Sequence, residues 1–196
     1  MTAIELKEAA LYFLRFERSM THIATEFGQY SADVVGATSD RLIELETKIS
    51  LGDLRNDFKK DKHRRYLKAS DDCDFDYNHQ DMPNYFYFMV PPALADEAVR
   101  LCEEHNKYYG VVIYSGDQEH HWINRWKVVR RGKRMHTRKP NEKCLSRIAA
   151  RMATEIVVAH SLKYRVAEMR TIMVDELRNR FDNPSQPELF EDEASV

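Results

Sequence analysis

Alternation of apolar and charged side chains is clearest along residues 42–50. Apolar residues fall mostly at odd positions there and charged ones at even positions, which is the period of two typical of a β-strand. Residues 22–28 and 30–38 predict two shorter strands, with Gly28-Gln29 as a tight turn between them. Residues 4–20 repeat apolar side chains at helical spacing and predict a helix before these strands.

The rest of the chain alternates between charged helical segments and buried strands. The run at 85–90 is almost continuously apolar, which is expected of a strand covered on both faces. With the strand at 109–114 it predicts a parallel pair joined by a right-handed helical crossover. The further predicted elements are a helix at 51–68, a helix at 94–106, an edge hairpin of 126–129 with 133–137 around Arg131-Gly132, and helices over 142–181.

These elements predict an α/β fold, with a mixed sheet flanked by helices and added C-terminal helices. One domain is expected over residues 1–182, with its core at about 22–138. Residues 183–196 contain proline and many acids, which predicts a flexible tail.

Composition limits the class of protein. The chain has 196 residues, 43% of them hydrophobic, and a net charge of −2 that results from 30 basic and 32 acidic residues. Its three cysteines show no CxxC spacing, so neither a disulfide framework nor a structural zinc site is expected. No apolar run approaches membrane-spanning length and no signal peptide is evident. We therefore expect a cytoplasmic protein.

Two carboxylates and an ammonium group are predicted to meet on neighbouring strands. Glu46 and Lys48 are two residues apart on one strand and point the same way, and Asp33 lies on the preceding strand. Carboxylates suit Mg²⁺, and a nearby cation stabilises the charge that develops in phosphodiester hydrolysis. The alternative is a strand with a solvated charged face, since acid-x-Lys also occurs at 5–7 and 57–59.

Residues 30–36 (YSADVVG) and 42–50 (LIELETKIS), continued by Asp53, resemble the PD-(D/E)XK nuclease superfamily. The resemblance spans about residues 22–138. Within the superfamily, the sequence is similar to MmcB-like DNA-repair proteins and to related phage or mobile-element nuclease domains. It implies a restriction-endonuclease-like sheet, Mg²⁺ or Mn²⁺ bound by Asp33 and Glu46, and Lys48 acting on the attacking water or the developing charge. Ala32 stands where the superfamily's name has proline.

An upstream acid often completes such a site. Glu26 is the first candidate, because a two-residue hairpin would place it opposite residue 31, on the face of Asp33. Glu17 is the competitor, although a charge flanking the first helix more simply extends into water.

Two basic segments follow the candidate site and are expected to track a DNA backbone. The alternative for each is a solvated charged face. The residues that we expect to contact DNA are Lys60, Lys62, Arg64, Lys127, Arg130, Arg131, Lys133 and Arg134.

The tail contains Gln186-Pro187-Glu188-Leu189-Phe190, which is similar to peptides that bind the bacterial sliding clamp. In such a peptide Gln186 would fix the register, and Leu189 and Phe190 would fill an apolar pocket. A chance match of five residues is the alternative.

The sequence thus predicts a Mg²⁺-dependent DNA nuclease of repair, defence or a mobile element. The rival hypothesis is a catalytically inactive module of the same fold that binds DNA or the replication machinery. A homodimer is left open.

Overall fold

The computed structural model describes residues 1–28, 31–71, 82–116 and 126–182. Two short helical turns, a π-turn at Phe13–Glu17 and a 3₁₀ turn at Pro92–Leu94, adjoin the regular elements. The strands are β1 His22–Phe27, β2 Ala32–Ala37, β3 Leu42–Thr47, β4 Tyr85–Val90, β5 Gly110–Tyr114 and β6 Trp126–Arg130. The helices are α1 Ala3–Tyr12, α2 Leu51–Asp57, α3 Asp61–Asp71, α4 Ala95–His105 and α5 Glu142–Asp182.

The six strands form one mixed sheet in the order β1-β2-β3-β4-β5-β6. β1, β2 and β3 form an antiparallel meander, β3, β4 and β5 are parallel, and β6 returns antiparallel to β5. The predicted α/β class, a mixed sheet with flanking helices and a helical C-terminal addition, is confirmed. The parallel pair of β4 and β5, joined through α4, is confirmed as well.

Three local predictions were wrong. The hairpin of β1 and β2 closes with Phe27 opposite Ala32, so its turn spans four residues rather than two. The charged segment 51–68 forms two helices, because the chain turns between Asp57 and Asp61. Residues 133–137 form no strand, and β6 pairs with β5 instead.

Asn84 explains why residues 133–137 form no hairpin strand. Its buried amide donates to the carbonyl oxygens of His136 and Arg138 at 3.0 and 2.7 Å, and its Oδ1 accepts the backbone N–H of Leu42 at 2.7 Å. The backbone N–H of Met135 also donates to the carbonyl of Asn84 at 2.9 Å. These bonds satisfy backbone groups that a second strand would have used.

Each face of the sheet carries its own apolar core. On one face α1 and the π-turn cover β3 and β4 through side chains such as Phe13, Leu45 and Met89. The other face packs Phe86 and Phe88 against α2, α3 and α4. Since side chains alternate along a strand, Glu44 and Glu46 point to the face of Phe86 and Phe88. The charged residues of β3 therefore lie under α2 and α3.

The chain divides into two compact units, residues 1–154 and residues 155–196. In the first unit the start of α5 packs Cys144 and Ile148 against β1 and β2 residues such as Ala24 and Val35. In the second unit the described residues belong to α5, and positions 156–179 are exposed. Among the described ranges, no helix is long and apolar enough to cross a membrane.

Candidate active site

Asp33, Glu46 and Lys48 come together where β2 begins and β3 ends. The ammonium nitrogen of Lys48 lies 2.8 Å from Glu46 Oε2 and 3.8 Å from Asp33 Oδ2. The register that pairs Val34 with Leu45, extended by one residue, places Asp33 opposite Glu46. The sequence-predicted trio thus occupies one corner of the sheet, at the carboxyl end of β3.

Asp33 is the exposed member of the trio, with 21% of its side chain accessible, against 2% for Glu46 and 5% for Lys48. Its Oδ2 accepts hydrogen bonds from the backbone N–H of Thr47 at 2.8 Å and from the Thr47 hydroxyl at 3.0 Å. Burial alone would raise the pKa of Asp33, but these bonds and the charge of Lys48 lower it. An ionised oxygen ligand is therefore held in place beside solvent.

Glu46 sits deeper and is bound on both sides. Its Oε2 contacts Lys48, and its Oε1 lies 2.5 Å from the ammonium nitrogen of Lys62. Burial raises the pKa of Glu46, and the charges of Lys62 and Lys48 oppose that rise. Burial likewise disfavours a charged Lys48, but Glu46 and Asp57 together hold its pKa above the ordinary range. Lys48 is thus a fixed cation.

The sequence reasoning missed Asp57, the last residue of α2. Its Oδ1 lies 3.1 Å from the ammonium of Lys48, and its Oδ2 lies 2.8 Å from Nε2 of His63. Burial would raise the pKa of Asp57, but the bond from His63 and the charges of Lys62 and Lys48 hold it far below its ordinary value. Asp57 is thus a third carboxylate, besides Asp33 and Glu46, that contacts the ammonium of Lys48.

The buried His63 ring fixes Asp57 in turn. Burial lowers the pKa of His63 below its ordinary value of 6.5, although Asp57 acts in the opposite direction. The neutral ring has one N–H, and a carboxylate can only accept, so Nε2 donates to Asp57. Nδ1 then accepts from the Tyr109 hydroxyl at 2.8 Å. A series of contacts therefore runs from Tyr109, just before β5, through His63 and Asp57 to the ammonium of Lys48.

The burial of His63 predicts that the stability of the protein depends on pH. The unfolded chain protonates His63 near pH 6.5, whereas the folded protein keeps it neutral to lower pH, so stability falls as pH drops below about 6.5. One such histidine contributes a slope of at most about 1.4 kcal/mol per pH unit. Urea unfolding between pH 7.5 and pH 5 measures this slope, and His63→Gln is expected to reduce it.

His136 is the matched control, because burial lowers its pKa as well. His136→Gln should remove only its own share of the slope and leave that of His63. An identical slope in wild type and in His63→Gln would contradict a neutral, buried His63.

The prediction that Lys62 contacts DNA was wrong, because Lys62 is not at the surface. The side chain is fully buried, and its ammonium joins Glu46 to Glu44, with Glu44 Oε1 at 3.0 Å. The other oxygen of Glu44 accepts the hydroxyl of Tyr66 at 2.6 Å. Lys62 and Tyr66 are four residues apart in one helix and therefore share a helix face. This spacing was the sequence signal that could have indicated that Lys62 faces the core. The acid partners lie 16 and 18 residues away, and no pattern revealed them.

Glu26 lies at the margin of the site. Its carboxylate pairs with Lys7 of α1 and accepts the Ser31 hydroxyl at 2.8 Å. The ammonium of Lys7 also lies 3.6 Å from Asp33 Oδ1, so Glu26 reaches the trio through Lys7. The pairs on either side, Thr25 with Val34 and Phe27 with Ala32, place Glu26 opposite Asp33 rather than opposite residue 31. Glu17 is exposed in the π-turn, as its alternative interpretation expected.

The donor set suits a divalent cation that keeps part of its water shell. Asp33 and Glu46 offer hard oxygen ligands, and Mg²⁺ is commonly held by one or two carboxylates together with substrate phosphate. Within the ranges that the structure describes, no group of three His, Cys, Asp or Glu side chains is arranged to hold a metal by itself. The residues therefore fit a shared site rather than a closed cage.

Carboxylates outnumber ammonium groups by one within this network, and His63 is neutral. The acids are Glu26, Asp33, Glu44, Glu46 and Asp57, and the ammonium groups that contact them belong to Lys7, Lys48, Lys60 and Lys62. One divalent cation more than offsets this single excess negative charge, and a phosphate that arrives with the cation compensates the surplus positive charge. Metal and phosphate are therefore expected to bind together.

The predicted DNA-contacting residues fall into two places. Lys60 is half-exposed beside Asp57, Arg64 is exposed, and Lys127 lies opposite Ile113, at the carboxyl end of β5. Lys127 lies at the same end of the strands as the trio. Arg64 lies in α3 and Lys60 directly precedes that helix, which packs beside the trio. Of the residues predicted to contact DNA, Lys60, Arg64 and Lys127 are therefore the ones that lie on the side of the trio.

The segment from residue 130 onward lies elsewhere. Arg130 pairs with Val111 at the start of β5, and its guanidinium donates to the carbonyls of Tyr109 and Lys107 at 3.0 and 3.1 Å. Arg134 donates to the carbonyl of Asp40, in the turn at the far end of β2. These two arginines bind backbone carbonyls at the end of the strands opposite the trio. Arg131 and Lys133 are exposed.

The clamp-like residues Gln186, Leu189 and Phe190 lie outside the described residues, and that interpretation stays a prediction. Cys73 and the acid-rich stretch at 72–81 also lie outside them. Cys102 and Cys144 are buried.

Comparison with known proteins adds information on the fold. No protein-family model matches the chain. No curated protein matches it either. A solved structure described as the SPO1766 protein of unknown function from Silicibacter pomeroyi is similar, with 15% identity and a TM-score of 0.51. The match covers 97% of this chain and 99% of that one. At this identity the likeness concerns the fold alone.

Proposed function

We propose that this chain is a divalent-cation-dependent DNA nuclease of the cytoplasm, with Asp33, Glu46 and Lys48 at its active site. The observation that carries the proposal is the meeting of two carboxylates from neighbouring strands at one ammonium, 2.8 and 3.8 Å away. The resemblance of the sequence to PD-(D/E)XK nucleases assigns the same three residues.

The three side chains divide the chemistry of phosphodiester hydrolysis. Asp33 and Glu46 would hold the cation, which when bound would polarise the phosphate and lower the pKa of a water molecule. Lys48 stays protonated and presents its charge to the attacking water or to a phosphate oxygen as negative charge develops. Asp57 and Glu46 fix the position of Lys48, so little reorganisation is needed during the reaction.

One observation favours the rival function, a binding module without catalysis. Both oxygens of Glu46 are already occupied by ammonium groups, from Lys48 and from Lys62. These two ammonium groups already compensate the negative charge of Glu46, so the fold does not require a metal there. Under this alternative the exposed cations near the site bind DNA and no bond is cleaved.

A cleavage panel separates the two functions. Wild-type protein is incubated with single-stranded, duplex, flap and branched DNA in Mg²⁺, in Mn²⁺ and in excess chelator. We expect cleavage of at least one substrate that depends on the cation and is lost in Glu46→Gln protein purified in parallel. DNA binding without cleavage under every condition would reject the nuclease and leave the binding module. Equal cleavage by wild type and Glu46→Gln would identify a contaminant.

A further inference from the structure

Lys62 is a fully buried charged group of the site, as Asp57 is. It is the second residue of α3, its side chain is fully buried, and its ammonium bridges Glu44 and Glu46. A buried lysine ammonium is costly unless carboxylates surround it, and here two do. The ring of Phe86 lies 5.5 Å from the same nitrogen and adds a cation–π contact. Lys62 is therefore an integral cation of the core.

The two acids need this cation as much as Lys62 needs them. Glu44 and Glu46 are two residues apart on β3, share a face and are 4% and 2% exposed. Two ionised carboxylates this close in a medium of low polarity repel each other. Lys62 offsets that repulsion through a single shared ammonium, and Tyr66 satisfies the remaining oxygen of Glu44.

The carboxylate of Glu46 thus has two sides of different character. Its inner oxygen, Oε1, is bound to Lys62, and its outer oxygen, Oε2, is bound to Lys48 near the more exposed Asp33. A cation from solvent would approach the outer side, because that side lies beside the partly exposed Asp33, whereas the inner side faces the fully buried Lys62.

We infer that Lys62 is a built-in cation that takes the inner position at Glu46 and limits the site to one divalent ion. The identity of the outer position as a metal site rests on the proposed nuclease function. The inner position does not, because it follows from the Lys62 contacts alone. Removing the charge of Lys62 leaves Glu44 and Glu46 without compensation and creates a place for a second cation.

Titration calorimetry of the full chain with Mn²⁺ tests this inference, with Lys62→Met as the principal variant. Methionine keeps the length of the side chain and removes its charge. Wild type should bind one ion, and Lys62→Met should bind an additional ion. Lys59→Met is the matched control, since Lys59 is exposed and donates to Asn56 Oδ1 rather than to an acid of the site, and it should bind Mn²⁺ as wild type does.

A second variant guards against loss of the fold. Lys62→Met combined with Glu44→Gln removes one charge of each sign, so the net charge of the network is unchanged while Glu46 loses its inner partner. This protein should bind one Mn²⁺ about tenfold more tightly than wild type, because an ammonium no longer competes for Glu46. Circular dichroism confirms folding, and the rise of the melting temperature with Mn²⁺ gives an independent readout.

The outcomes separate this inference from the nuclease proposal. Two ions in wild type, or unchanged stoichiometry and affinity in both Lys62 variants, would overturn the inner-cation role. No Mn²⁺ in wild type but one ion in Lys62→Met would support that role and count against a metal-dependent nuclease.

Discussion

Lys48→Met should lower the cleavage rate about 10³-fold, because it removes the fixed charge that faces the reacting phosphate. The interaction strengthens only as negative charge develops, so the loss should appear in the turnover number rather than in DNA affinity. One lost phosphate contact is a small part of the electrostatic total, and the dissociation constant for DNA should change less than about threefold. Single-turnover cleavage and fluorescence anisotropy measure the two quantities separately.

The controls for Lys48→Met address folding. Lys48 compensates Glu46 and Asp57, and removing one partner of a buried ion pair costs about 3–5 kcal/mol. Urea unfolding will show whether the variant is folded at the assay temperature. Lys107→Met removes an exposed lysine distant from the trio and should cleave as wild type does. Cleavage by folded Lys48→Met within tenfold of wild type would exclude a catalytic role for Lys48.

Asp33→Asn should produce the second large effect, a loss of about 10²-fold or more at low Mg²⁺. Asparagine retains an oxygen that can accept the two bonds from Thr47, so the backbone geometry is preserved. The negative charge that attracts the cation is lost. We therefore expect the Mg²⁺ concentration for half-maximal rate to rise at least about tenfold, with partial recovery at high Mn²⁺.

The metal titration for Asp33→Asn is best done with and without a non-cleavable DNA. Because the acids exceed the ammonium groups by only one, a divalent cation leaves surplus positive charge, and wild-type affinity for Mg²⁺ should be higher when DNA is present. Asp96→Asn removes an exposed acid of α4 and should leave both titrations unchanged. A wild-type metal dependence in Asp33→Asn would show that Asp33 is no ligand.

The trio was predictable from sequence because its signals are local. Glu46 and Lys48 share a face by strand alternation, and Asp33 is joined to them through two antiparallel strands. The same local information fixed most strands to within two residues. Where β1 turns into β2, Glu26 has a φ of 47° and Gly28 of 81°, and this wider turn shifted the pairing that we had predicted for Glu26.

Residues that act on the trio from a distance could not be predicted in the same way. Asp57 reaches Lys48 only because α2 ends there, and a charged segment with helical composition gives no sign of such an end. In the sequence Lys62 looks like the exposed lysines beside it. Only the packing of α3 against β3, which buries its side chain, distinguishes Lys62 from them. Asn84 acts over 52 and 54 residues on the segment predicted as a hairpin strand.

The meander of β1, β2 and β3 has a consequence for the order of folding. Its strands are joined by short turns, whereas α2 and α3 lie between β3 and β4 in the chain. Contacts between residues close in sequence tend to form sooner than distant ones. We therefore expect β3, which carries Glu44 and Glu46, to pair with β2 before α3 brings Lys62 to these acids. Because the two carboxylates repel each other until then, salt and acidity should alter the folding rate at the docking of α3.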